Sequence, residues 1–101
     1  MSVDVVVIFE RHGDLIASPP IGGEEPTLDT DPYGDTLWDW NLTDDGGASF
    51  DSVPPTYSTL YEAQAAFILA YGNIAGSVTA EINAHTVTIT GSIASLERQD
   101  Q

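Results

Sequence analysis

Residues 59–71 read Thr-Leu-Tyr-Glu-Ala-Gln-Ala-Ala-Phe-Ile-Leu-Ala-Tyr, which is the strongest helical pattern in the chain. Thr59 followed three residues later by Glu62 is a capping-box pattern, because each side chain can satisfy a backbone N–H of the first turn. Gly72 can adopt the left-handed conformation that ends many helices. The sequence therefore predicts one helix over about 58–71.

The predicted helix is apolar on nearly every side. At 100° per residue, five of its apolar residues form one stripe, while Ala65, Ile68 and Leu69 lie on other sides. Apolar residues on every side are typical of a helix that is buried all round. About four turns are too few to cross a bilayer. Because one sheet face cannot cover every side, we expect these three residues to lie at an interface with another protein, or under the acidic loop described below. The stripe consists of Leu60, Ala63, Phe67, Ala70 and Tyr71.

The remaining apolar segments alternate as strands do. Residues 3–9 are β-branched and aromatic, which predicts a strand in the centre of the sheet. Residues 37–53 predict a hairpin around Asp44-Asp45-Gly46-Gly47, and we expect Phe50 to pack beside the tryptophans of its first strand. The alternating apolar positions of that strand are Trp38, Trp40 and Leu42.

A second hairpin is predicted from the alternation in residues 78–82 and 87–89, with Gly91 either a bulge in a continuing strand or a break. Together the segments predict an α+β fold with an antiparallel-dominated sheet of four to six strands. The single helix packs on one face, and a long acidic loop joins strand 1 to the first hairpin. We expect one domain over 1–101, of which 97–101 form a polar tail.

The charge balance is strongly acidic. The chain has 16 acidic residues, no lysine and two arginines, Arg11 and Arg98, for a net charge of -14. Ten of the acids lie between Asp14 and Asp51 without a basic residue among them. Such a composition is typical of proteins from organisms with molar salt inside the cell, or of their viruses, because like charges repel at ordinary ionic strength. An ordinary acidic protein is the alternative interpretation.

Few residues offer recognisable chemistry. The absence of cysteine excludes disulfides, thiolate metal sites and a cysteine nucleophile. The beginning of an EF-hand calcium loop is matched by Asp29, Asp31 and Asp35 at its first, third and seventh positions. The twelfth position is Trp40, where a bidentate glutamate belongs, so an EF-hand is not supported. Weak cation binding by these three acids is one interpretation, and a solvated acidic surface is the other.

A three-residue motif follows the first strand. Arg11-His12-Gly13 resembles the Arg-His-Gly signature of the histidine phosphatase superfamily, in which the histidine takes up phosphate. The resemblance implies a second arginine, a second histidine and a carboxylate beside it, and only Arg98 and His85 could serve as the second pair. Neither has matching context, so a strand end with a turn glycine is the favoured interpretation.

We therefore expect a non-catalytic structural subunit from a halophilic source. A virion protein of a halophilic virus, such as a capsid decoration, head-tail joining or tail component, fits best. Its partners would be other protein subunits in a homo- or hetero-oligomeric assembly, without a cofactor, direct nucleic-acid contact or membrane. We expect it in the virion or the cytoplasm of a high-salt organism, with no signal peptide or transmembrane segment. The alternative is an acidic DNA-mimic inhibitor of a nucleic-acid-binding enzyme.

The composition predicts salt-dependent stability. Raising KCl from low to molar concentration should raise the free energy of unfolding, because the Debye length falls from about 10 Å at 0.1 M to about 3 Å at 1 M and screens the net charge. Thermal melting followed by circular dichroism at each KCl concentration measures the effect. A melting temperature that is indifferent to KCl would contradict the halophilic interpretation.

Overall fold

A computed structural model of the chain describes residues 2–13, 36–44, 47–83 and 85–98. The acidic loop predicted after the first strand, with Asp29, Asp31 and Asp35, lies outside the described residues. The elements in chain order are β1 (Val3–Gly13), β2 (Thr36–Asp44), β3 (Ser49–Ser52), α1 (Leu60–Tyr71), β4 (Ala75–Asn83) and β5 (Thr86–Ile93).

The five strands form one sheet in the order β3-β2-β1-β5-β4, and every neighbouring pair is antiparallel. The apolar strand β1 lies in the centre, as its composition predicts. Alternate side chains of β1 point toward the helix, and Val5, Val7 and Phe9 among them are buried. The predicted α+β class, with an antiparallel sheet and one helix, is confirmed.

The helix has the predicted ends. The backbone N–H of Glu62 donates to Thr59 Oγ1 at 3.0 Å, and the Glu62 carboxylate accepts from the backbone N–H of Ser58 at 3.1 Å. At the other end, Gly72 has a φ of 83° and donates its N–H to the carbonyl of Ile68 at 2.7 Å. Both ends therefore satisfy backbone groups that a helix terminus leaves unpaired. Within the described ranges, no helix is long and apolar enough to cross a membrane.

The helix packs on β1 and β2 and forms the core with the inner face of the sheet. Trp38, Trp40 and Leu42 are fully buried there, as predicted. The predicted stripe of α1 faces this core, with Leu60 partly buried and its other four members buried. The other sides of α1 are exposed, so the expectation of a helix covered all round is wrong for this chain by itself.

Phe50 does not pack beside the tryptophans, contrary to the prediction. Asp51 is the register partner of Leu42 and therefore shares the inner face, whereas Phe50 is the extra residue at an irregularity in the β2–β3 register and is 47 % exposed. The Asp51 carboxylate instead accepts a hydrogen bond from the hydroxyl of Tyr71. The irregularity in the β2–β3 register leaves Phe50 without a partner on β2 and places Asp51 beside the core.

The two edges of the sheet differ. β3 has four residues, and the segment after it, which includes Pro54-Pro55, continues along β2 to a bridge between Tyr57 and Trp38. Proline and a short strand both protect an edge against further pairing. β4 forms the other edge with nine residues, all of them exposed. It is the less protected edge of the two.

Strand β5 continues through Gly91 to Ile93, which is the first of the two alternatives predicted for this glycine. The irregularity in register lies opposite, between Ala75 and Val78 of β4. A Cβ at position 91 would lie 2.8 Å from the carbonyl oxygen of Ala75 and closer still to the side chain of Ile74. Only glycine leaves room for the start of β4 to lie so close to β5 at this point.

Replacing this glycine should loosen the β4–β5 edge. We expect Gly91→Ala to lower the free energy of unfolding by about 1–3 kcal/mol, because the added methyl group meets backbone atoms that cannot move independently. Ser92→Ala, one residue further along β5, is the control and should change stability by less than about 0.5 kcal/mol. Denaturant unfolding in molar KCl compares them, and equal stability of the two variants would contradict the steric account.

Candidate interface and a polar cluster on the opposite face

The outer face of α1 is apolar and exposed. Ile68 is 45 %, Leu69 71 % and Tyr61 77 % exposed, and Ala65 between them is exposed as well. These four residues are spaced i, i+4, i+7 and i+8, so they form one continuous stripe along the side turned away from the sheet. We call this stripe the outer helix face.

A groove adjoins the outer helix face where α1 leaves β5 uncovered. Its volume is about 270 Å³, and Phe9, Phe67, Ile74 and Ile89 line its apolar part. Ile68 belongs both to this lining and to the outer helix face, so the exposed apolar surface continues from the helix into the groove. Contiguous apolar surface of this kind is typical of protein interaction sites.

Charge is nearly absent from this surface. Glu62 is the one charged residue of α1, and its carboxylate is engaged at the N-terminus of the helix with the backbone of Ser58. In a chain with 16 acidic residues, an exposed helix side with Glu62 at one end as its single charge differs from the average surface. The cost of dehydrating this face is correspondingly low, since charged groups carry the largest penalty on burial.

The structure brings the predicted interface residues together. Ala65, Ile68 and Leu69 lie side by side on the outer helix face. The sequence interpretation missed Tyr61, although its spacing of four residues from Ala65 is the helical signal that identifies it. It also missed the groove, because no local pattern shows that α1 covers β1 and β2 more than β5.

A cluster of three titratable side chains lies on the opposite face of the sheet. Glu10 and His12 are two residues apart on β1, and Asp39 is the register partner of Glu10 on β2. The Nε2 atom of His12 lies 2.8 Å from Asp39 Oδ2 and 3.1 Å from Glu10 Oε1. The sequence signal that could have identified Glu10 and His12 as neighbours is the pattern Glu-x-His on a strand, since alternate strand residues share a face.

The pKa of Asp39 is raised above its ordinary value, chiefly because burial disfavours the charged carboxylate, and the negative charge of Glu10 adds to the effect. The nearby His12 acts in the opposite direction and does not fully compensate.

The residues of the phosphatase-like motif do not converge. Arg11 is buried on the inner face, where its guanidinium lies 5.0 Å from the ring centroid of Trp38, whereas His12 points to the outer face between two carboxylates. Arg98 lies over Trp40 at 5.8 Å, and the contact of His85 with the motif is its backbone carbonyl, which accepts from the N–H of Arg11 at 2.7 Å. Alternation along β1 separates the arginine from the histidine, and carboxylates beside His12 repel a phosphate anion.

Comparison of the chain with protein-family models, with curated proteins and with solved structures finds no match.

Proposed function

We propose that this protein is a non-catalytic assembly subunit that binds other protein subunits through the outer helix face and the adjoining groove. The observation that carries the proposal is the exposed, uncharged apolar stripe of Tyr61, Ala65, Ile68 and Leu69 on a protein with a net charge of -14. Monomeric proteins tend not to leave large contiguous patches of this kind uncovered.

The partner we propose is a second copy of the chain. Two copies related by a two-fold axis bring the same uncharged stripe together from both sides, and Ala65 between the larger residues allows the two helices to approach closely. The helix face alone is narrow, and the groove beside Ile68 extends the contact across the sheet. Molar salt screens the repulsion between two strongly acidic copies.

The biological setting we propose is a virion of a halophilic virus, in which the chain is a capsid decoration, head-tail joining or tail component. Composition supports the high-salt source, since the chain combines 16 acids with two arginines and no lysine. The alternative of a DNA mimic requires carboxylates in rows, and in the described part of the chain they are divided between the two faces of the sheet and the helix. We favour assembly because the exposed outer helix face gives it an observation of its own, whereas seven of the ten acids between Asp14 and Asp51, on which mimicry depends, lie outside the described residues.

Charge placed on the outer helix face should break the assembly. We expect the protein to form concentration-dependent dimers or larger oligomers in molar KCl, and Leu69→Glu or Ile68→Glu to shift the equilibrium toward monomer by at least about tenfold, because a carboxylate would be buried unpaired at the contact. Size-exclusion chromatography with light scattering over a range of protein concentrations measures the molar mass.

Phe50→Glu is the matched control. Phe50 is exposed to 47 % and Ile68 to 45 %, and both substitutions add one negative charge, but Phe50 lies on β3 and belongs neither to the outer helix face nor to the lining of the groove. Phe50→Glu should leave the molar mass unchanged, and circular dichroism should show that all three variants fold. A wild-type protein that stays monomeric at every concentration, or a Phe50→Glu that dissociates as Leu69→Glu does, would contradict the proposal.

The virion setting predicts that peptides of this chain are found in purified particles. Trypsin suits this search poorly, because the chain has no lysine and cleavage after Arg11 and Arg98 leaves one internal peptide of 87 residues. A protease that cleaves at acidic residues should instead give many short peptides. Mass spectrometry of particles purified from the source culture should then recover them in stoichiometric amount, and their presence only in the soluble cell fraction would contradict this setting.

A further inference from the structure

We propose that Glu10, His12 and Asp39 form a binding site for a transition-metal ion of the Zn²⁺ class on the face of the sheet opposite α1. The site goes beyond the proposed assembly function, because none of its residues belongs to the outer helix face or the groove. It is built from one histidine nitrogen and two carboxylate oxygens.

The strands place the three side chains together. Glu10 and His12 point to the same face of β1, because they are two residues apart, and Asp39 lies directly across from Glu10 on β2. Side chains in directly opposite positions have their Cβ atoms about 4.5–5.5 Å apart. The site therefore rests on two paired strands of the sheet, one of them its central strand, which is a rigid support for a ligand set.

The distances fit a shared metal ion. The three ligand atoms lie within 4.8 Å of one another, with Nε2 of His12 2.8 Å and 3.1 Å from the two carboxylate oxygens. Metal–nitrogen and metal–oxygen bonds of about 2.0–2.2 Å separate two ligands of a tetrahedral ion by roughly 3.4 Å, so the two short contacts of His12 need to lengthen only slightly to admit one. The third distance, between the two carboxylate oxygens, is at most 4.8 Å, and small movements of these flexible side chains bring both oxygens within reach of one ion.

The orientation of His12 is the second observation. Although 39 % of its side chain is exposed, the Nε2 atom is buried between the carboxylates, and neither short contact has the geometry of a hydrogen bond. A buried nitrogen aimed at two carboxylate oxygens without a directed hydrogen bond is arranged as a metal ligand is. The register also places Glu10 opposite Asp39, where two like charges repel, and a metal ion shared by both carboxylates would offset that repulsion.

The ligand set selects the class of ion. Imidazole favours zinc and its neighbours in the first transition row, whereas Ca²⁺ and Mg²⁺ prefer oxygen ligands alone. The other acidic residues of the chain offer oxygen ligands and supply no nitrogen. Three protein ligands leave at least one coordination position for water.

Titration of the whole, chelator-treated protein with Zn²⁺ in molar KCl tests the site. We expect one ion bound per chain by calorimetry and a rise in melting temperature, with Mg²⁺ at the same concentration giving neither. Co²⁺, the second probe, should give a visible absorption band that Zn²⁺ removes. His12→Gln should weaken Zn²⁺ binding by at least about tenfold, since even outer residues of metal sites contribute on that scale, and Glu10→Gln should weaken it in the same direction.

His85→Gln is the matched control, because His12 and His85 are the two histidines of the chain and His85 is exposed in the turn between β4 and β5. It should bind Zn²⁺ as the wild type does. Circular dichroism should show that every variant folds. If His12→Gln does not fold, Glu10→Gln, at an exposed position, still tests the site. Zn²⁺ binding that survives both substitutions, equals that of Mg²⁺ or is absent from the wild type would overturn the proposal.

Discussion

The indole of Trp40 is the point at which the elements of the fold meet. It is fully buried on β2, opposite Phe9 of β1, and it contacts Phe67 of α1 edge-on at 5.6 Å between ring centroids. Tyr57 stacks on it at 5.6 Å, and Arg98 from the C-terminal segment lies over it. Among the residues that the structure describes, its Nε1–H has no hydrogen-bond partner, so packing and ring contacts account for its stabilising effect. Without this side chain the helix, the segment after β3 and the C-terminal segment would lose their common contact.

The same core explains where a very acidic chain keeps its positive charge. Both arginines lie against tryptophan rings, Arg11 on Trp38 and Arg98 on Trp40, instead of on the acidic surface. Cation–π contact compensates part of the cost of removing a guanidinium from water, and for Arg98 the carboxylate of Asp51 at 3.6 Å adds to it. The consequence is a surface with few cations to offset its carboxylates, which makes screening by salt important for folding and for any association between copies.

The two faces of the sheet then offer different kinds of contact. On the inner side, α1 covers β1 and β2 and turns a largely apolar face outward, which suits a protein partner. On the outer side, alternation along β1 and pairing with β2 collect Glu10, His12 and Asp39, which suits a cation. The two surfaces are separated by the sheet, so a failure of metal binding would leave the assembly proposal intact, and the reverse also holds.

Sequence alone determined the elements, because the signals for them are local. The cap of α1 at Thr59, its end at Gly72, the central position of β1 and the burial of Trp38 and Trp40 all follow from spacing and residue type over a few positions. Only the tertiary structure decided which apolar residues remain exposed and which polar residues meet. Phe50 stays exposed and Asp51 faces the core because of the irregular β2–β3 register, and His12 meets Asp39 because of the β1–β2 register. Register depends on pairing between segments distant in the chain, and a shift of one residue would exchange the two faces.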